Sequence, residues 1–339
     1  MAHPLRSYLL LTLAIAPILA FLHSRRSKRS NKLPRKNERV LIIGASSGIG
    51  RTLAHQYAKL GVKGVCIVGR RGDMVAEVVA ECKELSGNTE TEIVGFVGDF
   101  AEPGDMVEAR TRVEAVWGGL DTLIVAAGVS ALRPLMDVAG ATASTSNSNV
   151  EKAAIEHVVD VAAAATRGNY VGPLVAAVAF IPLLQSTSGR PAVLLVNSLA
   201  SAIPAPTRAI YASTKASSLH LYQSLAIEHP KIAFTLFMPG TVEGDFRKGA
   251  VDARVFRAPG ADGSGGITVD GMSAVREADP NKYGLKRDAV AERCLQAIER
   301  GEKNVFQPWT MAWGHLLYWV WPGYVEGRAS VKYNFTPGA

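Results

Sequence analysis

From Arg39 onward, short runs that are apolar throughout alternate with longer stretches of helical periodicity, and this limits the fold more than any other feature. VLII (40–43), GVCIV (64–68), EIVGFV (92–97), TLIV (122–125), AVLLVN (192–197) and IAFTLFM (232–238) read as strands. Helical patterns fall near 48–60, 74–86, 102–117, 151–165, 168–184, 211–229 and 288–300. A strand with no polar alternation has both faces covered, as in parallel sheets, whose neighbouring strands need a crossover of helical length. Right-handed crossovers then predict a doubly wound α/β sheet with ligands at the carboxyl ends of its strands. Hydrophobic residues make up 48% of the 339, enough to bury one large core. Two segments fit the alternation poorly. AGATASTSNSN (139–149) reads as a surface loop, and the glycine-rich stretch 250–284 as an insertion placed to act as a substrate lid.

The N-terminus carries a second signal. YLLLTLAIAPILAFL (8–22) is apolar apart from Thr12, and a basic cluster follows at once. Its length falls short of the ~20 residues that usually cross a bilayer. The residues that end it, Phe21, Leu22 and then arginines, do not offer the small-residue site of a cleaved leader. The expected organisation is a retained hydrophobic anchor at 1–23, with Pro17 leaving room for a shallow hairpin, and a flexible basic linker at 24–37. The folded domain then occupies 38–308, and an aromatic segment 309–339. The basic flank places that domain on the cytosolic side, with the endoplasmic reticulum the expected membrane.

Charge follows the same division. Residues 1–39 carry a net +8, so 40–339 carry −1 of the chain's +7. The basic excess is local, which argues against a nucleic-acid partner. Cys66, Cys82 and Cys294 are widely spaced, with no pattern for a metal or a disulfide framework.

IGASSGIG (43–50) follows the first strand directly and opens the first helix. Gly44, Gly48 and Gly50 allow a tight turn that brings a pyrophosphate close to a helix N-terminus, where free N–H groups and the dipole favour anions. The second strand ends in Gly69, Arg70 and Arg71, where a cofactor with a free ribose 2′-hydroxyl would want an acid. Arginine suits a 2′-phosphate instead, so NADP(H) is favoured; a solvated charge pair is the competing reading, for Arg71 more than for Arg70. In AIYASTK (209–215), Tyr211 and Lys215 are four apart at a helix start and share a face. Taken alone, that pair is equally two residues of a solvated helix.

Taken together, these residues resemble the short-chain dehydrogenase/reductase family over about 40–245, continuing to 308. IGASSGIG is similar to its glycine motif, GDF (98–100) to its acidic turn, and AAG (126–128) to its Asn-Asn-Ala-Gly motif. GNYVG (168–172), NSLAS (197–201) and MPGTV (238–242) resemble its asparagine helix, serine motif and Pro-Gly turn. The resemblance implies a Rossmann-type doubly wound parallel sheet of strand order 3-2-1-4-5-6-7. It also implies hydride transfer between NADP(H) and a carbonyl or alcohol. Tyr211 would then be the general acid or base, with Lys215 lowering its pKa and holding ribose hydroxyls. Ser198 would bond the substrate oxygen, and Asn169 would hold a water in a proton relay. Cofactor contacts would come from Gly44, Ser46, Ser47, Gly48, Ile49 and Gly50 in the glycine turn, and from Arg70 and Arg71. Asp99 would meet the adenine; Ala127, Gly128, Pro239, Gly240 and Thr241 would line the rest, with Tyr211 and Lys215 at the nicotinamide end.

Two departures stand out. Ile43 and Val125 replace the family's threonine and first asparagine, which predicts an apolar contact between strands one and four in place of a polar tie. Gly244 stands where the family often has threonine, so a carboxamide contact falls to Thr241 or the backbone. Finally, Trp309, Trp313, Leu316, Leu317 and Val320 share a helical face near the C-terminus. That face is either a core or dimer helix, or an interfacial one at headgroup level. The layout is similar to that of membrane-anchored hydroxysteroid dehydrogenases and implies a lipophilic carbonyl or alcohol substrate, contact with membrane lipid and a homodimer or homotetramer. A sphingoid-base or acyl-lipid ketoreductase, or a catalytically silent dinucleotide-binding protein, are the competing readings.

Overall fold

Each apolar run becomes a strand, and each strand of the central sheet lies parallel to its neighbours in a computed structural model that describes residues 28–87, 90–141, 150–257, 266–269 and 279–335. The first half runs β1 (Arg39–Ile43), α1 (Gly48–Lys59), β2 (Gly64–Gly69), α2 (Gly72–Ser86), β3 (Glu92–Val97), α3 (Pro103–Trp117) and β4 (Thr122–Val125). The second half runs α4 (Lys152–Thr166), α5 (Gly172–Thr187), β5 (Ala192–Val196), α6 (Ala209–Glu228) and β6 (Ala233–Pro239). A hairpin follows, β7 (Arg254–Arg257) against β8 (Gly266–Val269), then α7 (Arg287–Arg300) and β9 (Asn304–Gln307). Two C-terminal helices, α8 (Met311–Val320) and α9 (Pro322–Lys332), complete the chain's described part.

The sheet order is β3-β2-β1-β4-β5-β6-β9, the doubly wound Rossmann-type order 3-2-1-4-5-6-7. Alternate residues serve opposite cores. Leu41, Ile43, Leu123 and Val125 pack with Phe180 and Tyr222 on one side; Val40, Ile42 and Ile124 pack with Leu53, Tyr57 and Ile298 on the other. The seventh position belongs to β9, whose NVFQ is too short and too polar at its ends to stand out as an apolar run.

Helices α4 and α5 join through a π-helical turn, Arg167–Val171. The joined helix, Lys152–Thr187, is the one among the described residues long and apolar enough to cross a membrane, but half of its apolar window is buried inside the protein. The expected anchor at 1–23 and the loop segment 142–149 lie outside the described residues, as do 258–265 and 270–278 of the insertion. The insertion's first residues do reach the loop after β4: Val251 N–H donates to the Ser130 carbonyl at 2.9 Å, and Asp252 Oδ2 accepts from Leu132 and Arg133 N–H at 2.6 and 2.7 Å.

The expected flexible linker needs correction over its described part, residues 28–37. Two short helical turns there, Arg29–Asn31 and Arg35–Asn37, pack against the N-terminal edge of the sheet. Arg29 is buried; it pairs with Glu38 at 2.5 Å and donates to the carbonyls of Arg190 (2.9 Å) and Asp121 (3.0 Å). Arg35 bridges Glu38 and Glu299, and Ser30 also bonds Glu299. Glu38 is itself fully buried and accepts from Thr122 Oγ1 at 2.6 Å, so its desolvation is offset by two guanidinium groups and a hydroxyl.

The aromatic segment is not core. Trp309, Trp313, Leu316, Trp319 and Val320 are exposed, and no residue of α8 is buried. One side of α8 holds to the domain: His315 Nδ1 lies 2.8 Å from the Ala202 carbonyl, and its ring stacks on Phe306.

Candidate active site

The glycine turn at the carboxyl end of β1 is shaped by contacts that admit no side chain. Gly44 has φ +84°, and a Cβ there would lie 2.5 Å from the Ala127 nitrogen; one at Gly50 would lie 2.2 Å from the Gly44 carbonyl oxygen. Gly48, at φ +58°, starts α1 behind the exposed Ser47, whose side chain makes no capping bond to that helix. The N-terminus of α1 therefore keeps its N–H groups and dipole for an anion. Ser46 is buried beneath Gly69, and Ile49 packs on the core, so both shape the turn from below.

Arg70 and Arg71 are both exposed at the end of β2. Arg71 is the one joined to the turn, donating to Ser47 Oγ at 3.2 Å. Asp99 holds its own loop: Oδ1 accepts from Ala101 N–H at 3.0 Å, its N–H donates to Asp105, and its carboxylate lies 3.5 Å from Arg167. Ile43 and Val125 are register partners and both are buried, so the apolar contact expected between strands one and four is present. Pro239 ends β6; Gly240 N–H donates to the Gln307 carbonyl at 2.8 Å, and Thr241 Oγ1 accepts from Arg247 at 3.3 Å.

The catalytic candidates gather where β4, β5 and α6 meet. A Cβ at Gly128 would lie 2.9 Å from Asn169 Oδ1 and 3.0 Å from Lys215 Nζ, which fixes these three residues in one place. Tyr211 sits in the first turn of α6 and Lys215 one turn later, both buried. Tyr211 meets the edge of Phe246 at 6.3 Å between centroids. Lys215 Nζ donates to the Val196 carbonyl at 3.3 Å, and burial pushes its ammonium down to about 8. Ser198 follows β5 and opens the short turn Leu199–Ser201, which packs against α6; its Oγ accepts from Ala200 N–H at 3.2 Å.

The Asn169 side chain has a structural task beside the water expected of this residue. It lies in the π-helical turn, fully buried, and its Oδ1 accepts from Val129 N–H at 2.9 Å. Nδ2 donates to the Val129 carbonyl at 3.0 Å and to Thr214 Oγ1 at 3.1 Å. Both side-chain donors are spent, so the amide ties the loop after β4 to α6, and a water in a relay would meet Asn169 at an acceptor oxygen rather than at Nδ2.

Two contributors escaped the sequence reading. Asn197 Nδ2 donates to the Lys215 carbonyl at 3.0 Å while its Oδ1 accepts from Ser198 N–H at 2.8 Å, clamping the serine turn to α6. A polar residue closing an apolar strand was its only signal. Arg208, buried beside Tyr211, had none. Among the described residues no group of His, Cys, Asp and Glu could hold a metal.

A family model described as short chain dehydrogenase matches residues 38–254. The chain is 26% identical over 306 residues to "11-beta-hydroxysteroid dehydrogenase A" of Sesamum indicum, covering 88% of this chain and 76% of that protein. It is 27% identical over 282 residues to "11-beta-hydroxysteroid dehydrogenase-like 4A" of Arabidopsis thaliana, covering 83% and 79%. Among solved structures, a short chain dehydrogenase from Burkholderia cenocepacia in complex with NADP superposes with a TM-score of 0.61 at 16% identity, covering 87% of this chain and 98% of that one. The chain therefore belongs to the short chain dehydrogenase family, as an oxidoreductase of the hydroxysteroid-dehydrogenase-like type whose fold binds a nicotinamide dinucleotide.

Proposed function

We propose that the protein is an NADP(H)-dependent oxidoreductase that interconverts a carbonyl and a secondary alcohol on a hydrophobic, steroid- or lipid-like substrate at a membrane surface. The convergence of Asn169, Lys215 and Gly128 beside Tyr211 and Ser198 carries this reading. The glycine turn fits a dinucleotide, because Gly44 and Gly50 let the backbone close on itself where any Cβ would collide with it, and nothing lies within 4 Å of the Cβ position at Gly48, where α1 begins. Phosphates would lie against the N-terminus of α1. Arg71, with Arg70 beside it, would meet a 2′-phosphate, and that supports NADP(H) over NAD(H). When bound, the cofactor supplies or accepts the hydride. The chain's own part is to hold the substrate oxygen and move one proton. Ser198 Oγ would bond that oxygen, and the Tyr211 hydroxyl would give it a proton in reduction or take one in oxidation. Lys215 would bond ribose hydroxyls, and its ammonium favours the phenolate when charged.

The apolar run at 8–22 and the exposed tryptophans of α8 support a membrane-anchored enzyme of the endoplasmic reticulum, with its catalytic domain cytosolic. The names of the plant relatives support a steroid-like substrate. Ile155, Val159 and Val178, exposed on α4 and α5, support a homodimer or homotetramer packed through that face. The test is NADPH oxidation by membranes carrying the protein, offered steroid, retinoid and ketolipid carbonyls. One class should be turned over, and Tyr211→Phe should lower the rate by ~10²–10⁴-fold, the usual worth of a general acid. Turnover that survives Tyr211→Phe would sink the mechanism.

A further inference from the structure

Arg208 immediately precedes α6, three residues before Tyr211, and is buried. Its Nη1 donates to the Ala131 carbonyl at 3.0 Å and to Ser130 Oγ at 3.3 Å, which pins the guanidinium to the loop after β4. Held there, its central carbon lies 5.8 Å from the centroid of the Tyr211 ring, over the face. The backbone is bent to reach this position. Thr207, just before it, has φ +63°, a left-handed conformation that a β-branched residue adopts only under strain. Such strain persists where the surroundings over-determine it, and it gathers at functional sites.

Charged and titratable groups stand on each element around the ring: Lys215 on α6 itself, His157 on α4, Arg133 and Asp252 at the loop after β4, and Asp245, Arg247 and Lys248 on the turn that carries Phe246, where Lys248 pairs with Asp245 at 2.8 Å. Asp252 Oδ2 is committed to the Leu132 and Arg133 amides, and His157 Nε2 lies 3.1 Å from the Arg254 carbonyl. A cation over an aromatic face is attracted by the ring quadrupole, and more strongly once the ring carries a phenolate charge. Lys215 sheds its proton near pH 8, whereas a guanidinium stays charged. Burial also shields Arg208 from the screening that weakens exposed charges.

We propose that Arg208 is a positioning residue for the chemistry at Tyr211, a permanent positive charge held against the ring that favours the phenolate over the phenol. The proposal rests on the reading of Tyr211 as proton donor and acceptor. In the oxidation direction the alcohol O–H proton passes to the phenolate oxygen as the carbinol hydride leaves for the cofactor, so a field that favours the phenolate favours that step.

The test needs no substrate, which separates its failure from failure of the proposed function. Full-length protein in detergent micelles is titrated by ultraviolet tyrosinate absorbance, and Tyr211 is isolated by subtracting the same curve for Tyr211→Phe. Arg208→Leu, each curve again corrected by its Tyr211→Phe counterpart, should move the Tyr211 titration up by about one pH unit or more, the worth of an opposite charge at this range. Arg208→Gln, which keeps a donor for the Ala131 carbonyl without the charge, should move it by as much. An unmoved Tyr211 titration in Arg208→Leu overturns the proposal, and if circular dichroism shows that variant unfolded, an unmoved titration in Arg208→Gln does so.

Discussion

Replacing Lys215 by methionine should stabilise this protein while abolishing its chemistry. The side chain is buried, and burial carries its pKa from the ordinary 10.5 down to about 8. Each pH unit of depression corresponds to about 1.4 kcal/mol, so at neutral pH the folded state bears about 3 kcal/mol for its buried ammonium. Methionine has a similar length and no charge to desolvate. It loses the Nζ bond to the Val196 carbonyl, which at 3.3 Å is long and worth about 1 kcal/mol. A net gain of about 2 kcal/mol remains. The pH dependence follows from the direction of the shift. Below about pH 8 lysine is protonated in both states, and the folded state bears the full cost. Between about 8 and 10.5 the folded state has shed the proton and the unfolded chain has not, so wild-type stability rises with pH. The advantage of Lys215→Met should therefore be greatest at neutral pH and fade toward the ordinary lysine range. Urea denaturation of both full-length proteins in the same detergent, followed by tryptophan fluorescence across that span, measures it. A methionine variant less stable than wild type at neutral pH, or a difference that does not change with pH, refutes the reasoning.

Three further outcomes follow from the geometry. Arg71→Ala should weaken NADPH binding by at least tenfold and leave NADH nearly unchanged, with a smaller effect from Arg70→Ala, because Arg71 is the one tied to Ser47; fluorescence titration with each cofactor reads this. Gly128→Ala places a methyl within 3.0 Å of both Asn169 Oδ1 and Lys215 Nζ, and should cut turnover by tenfold or more while the melting temperature falls only modestly. Val125→Asn puts an amide opposite Ile43 in a fully buried strand position, and should destabilise by about 1–3 kcal/mol in denaturant unfolding. A more stable Val125→Asn protein would show that the polar tie between strands one and four can be restored from one side alone.

The sheet was legible because its strands are buried on both faces and so read as unbroken apolar runs. β9 was not, since NVFQ offers two apolar residues and draws its place from pairing with β6. Tyr211, Lys215, Ser198 and Asn169 could be picked out through the order of their motifs, and the structure brings Asn169 and Lys215 together at Gly128. What escaped was partnership across the chain. Arg208 reaches Ala131 and Asn197 reaches Lys215, and nothing in either neighbourhood of sequence announces the other. The described part of the basic run was misread for the same reason: Arg29, Arg35 and Ser30 meet their partners at Asp121, Arg190 and Glu299, far along the chain. Nearby positive charge looks like solvated linker until the acids that receive it are in view.

That docked run also sets a mooring length. Only residues 23–27 separate the apolar run that ends at Leu22 from Lys28, where the docked segment begins, and fully extended they reach about 20 Å. With the apolar run in a bilayer, the N-terminal edge of the sheet could not drift farther than this from the headgroups. The exposed tryptophans of α8 sit beyond the opposite, carboxyl end of the strands, past β9. For both to touch lipid, only attitudes that keep that edge within the tether's reach are open, as a boat swings only to the length of its line. The domain would then stay at the surface, and its search for substrate would become a two-dimensional one.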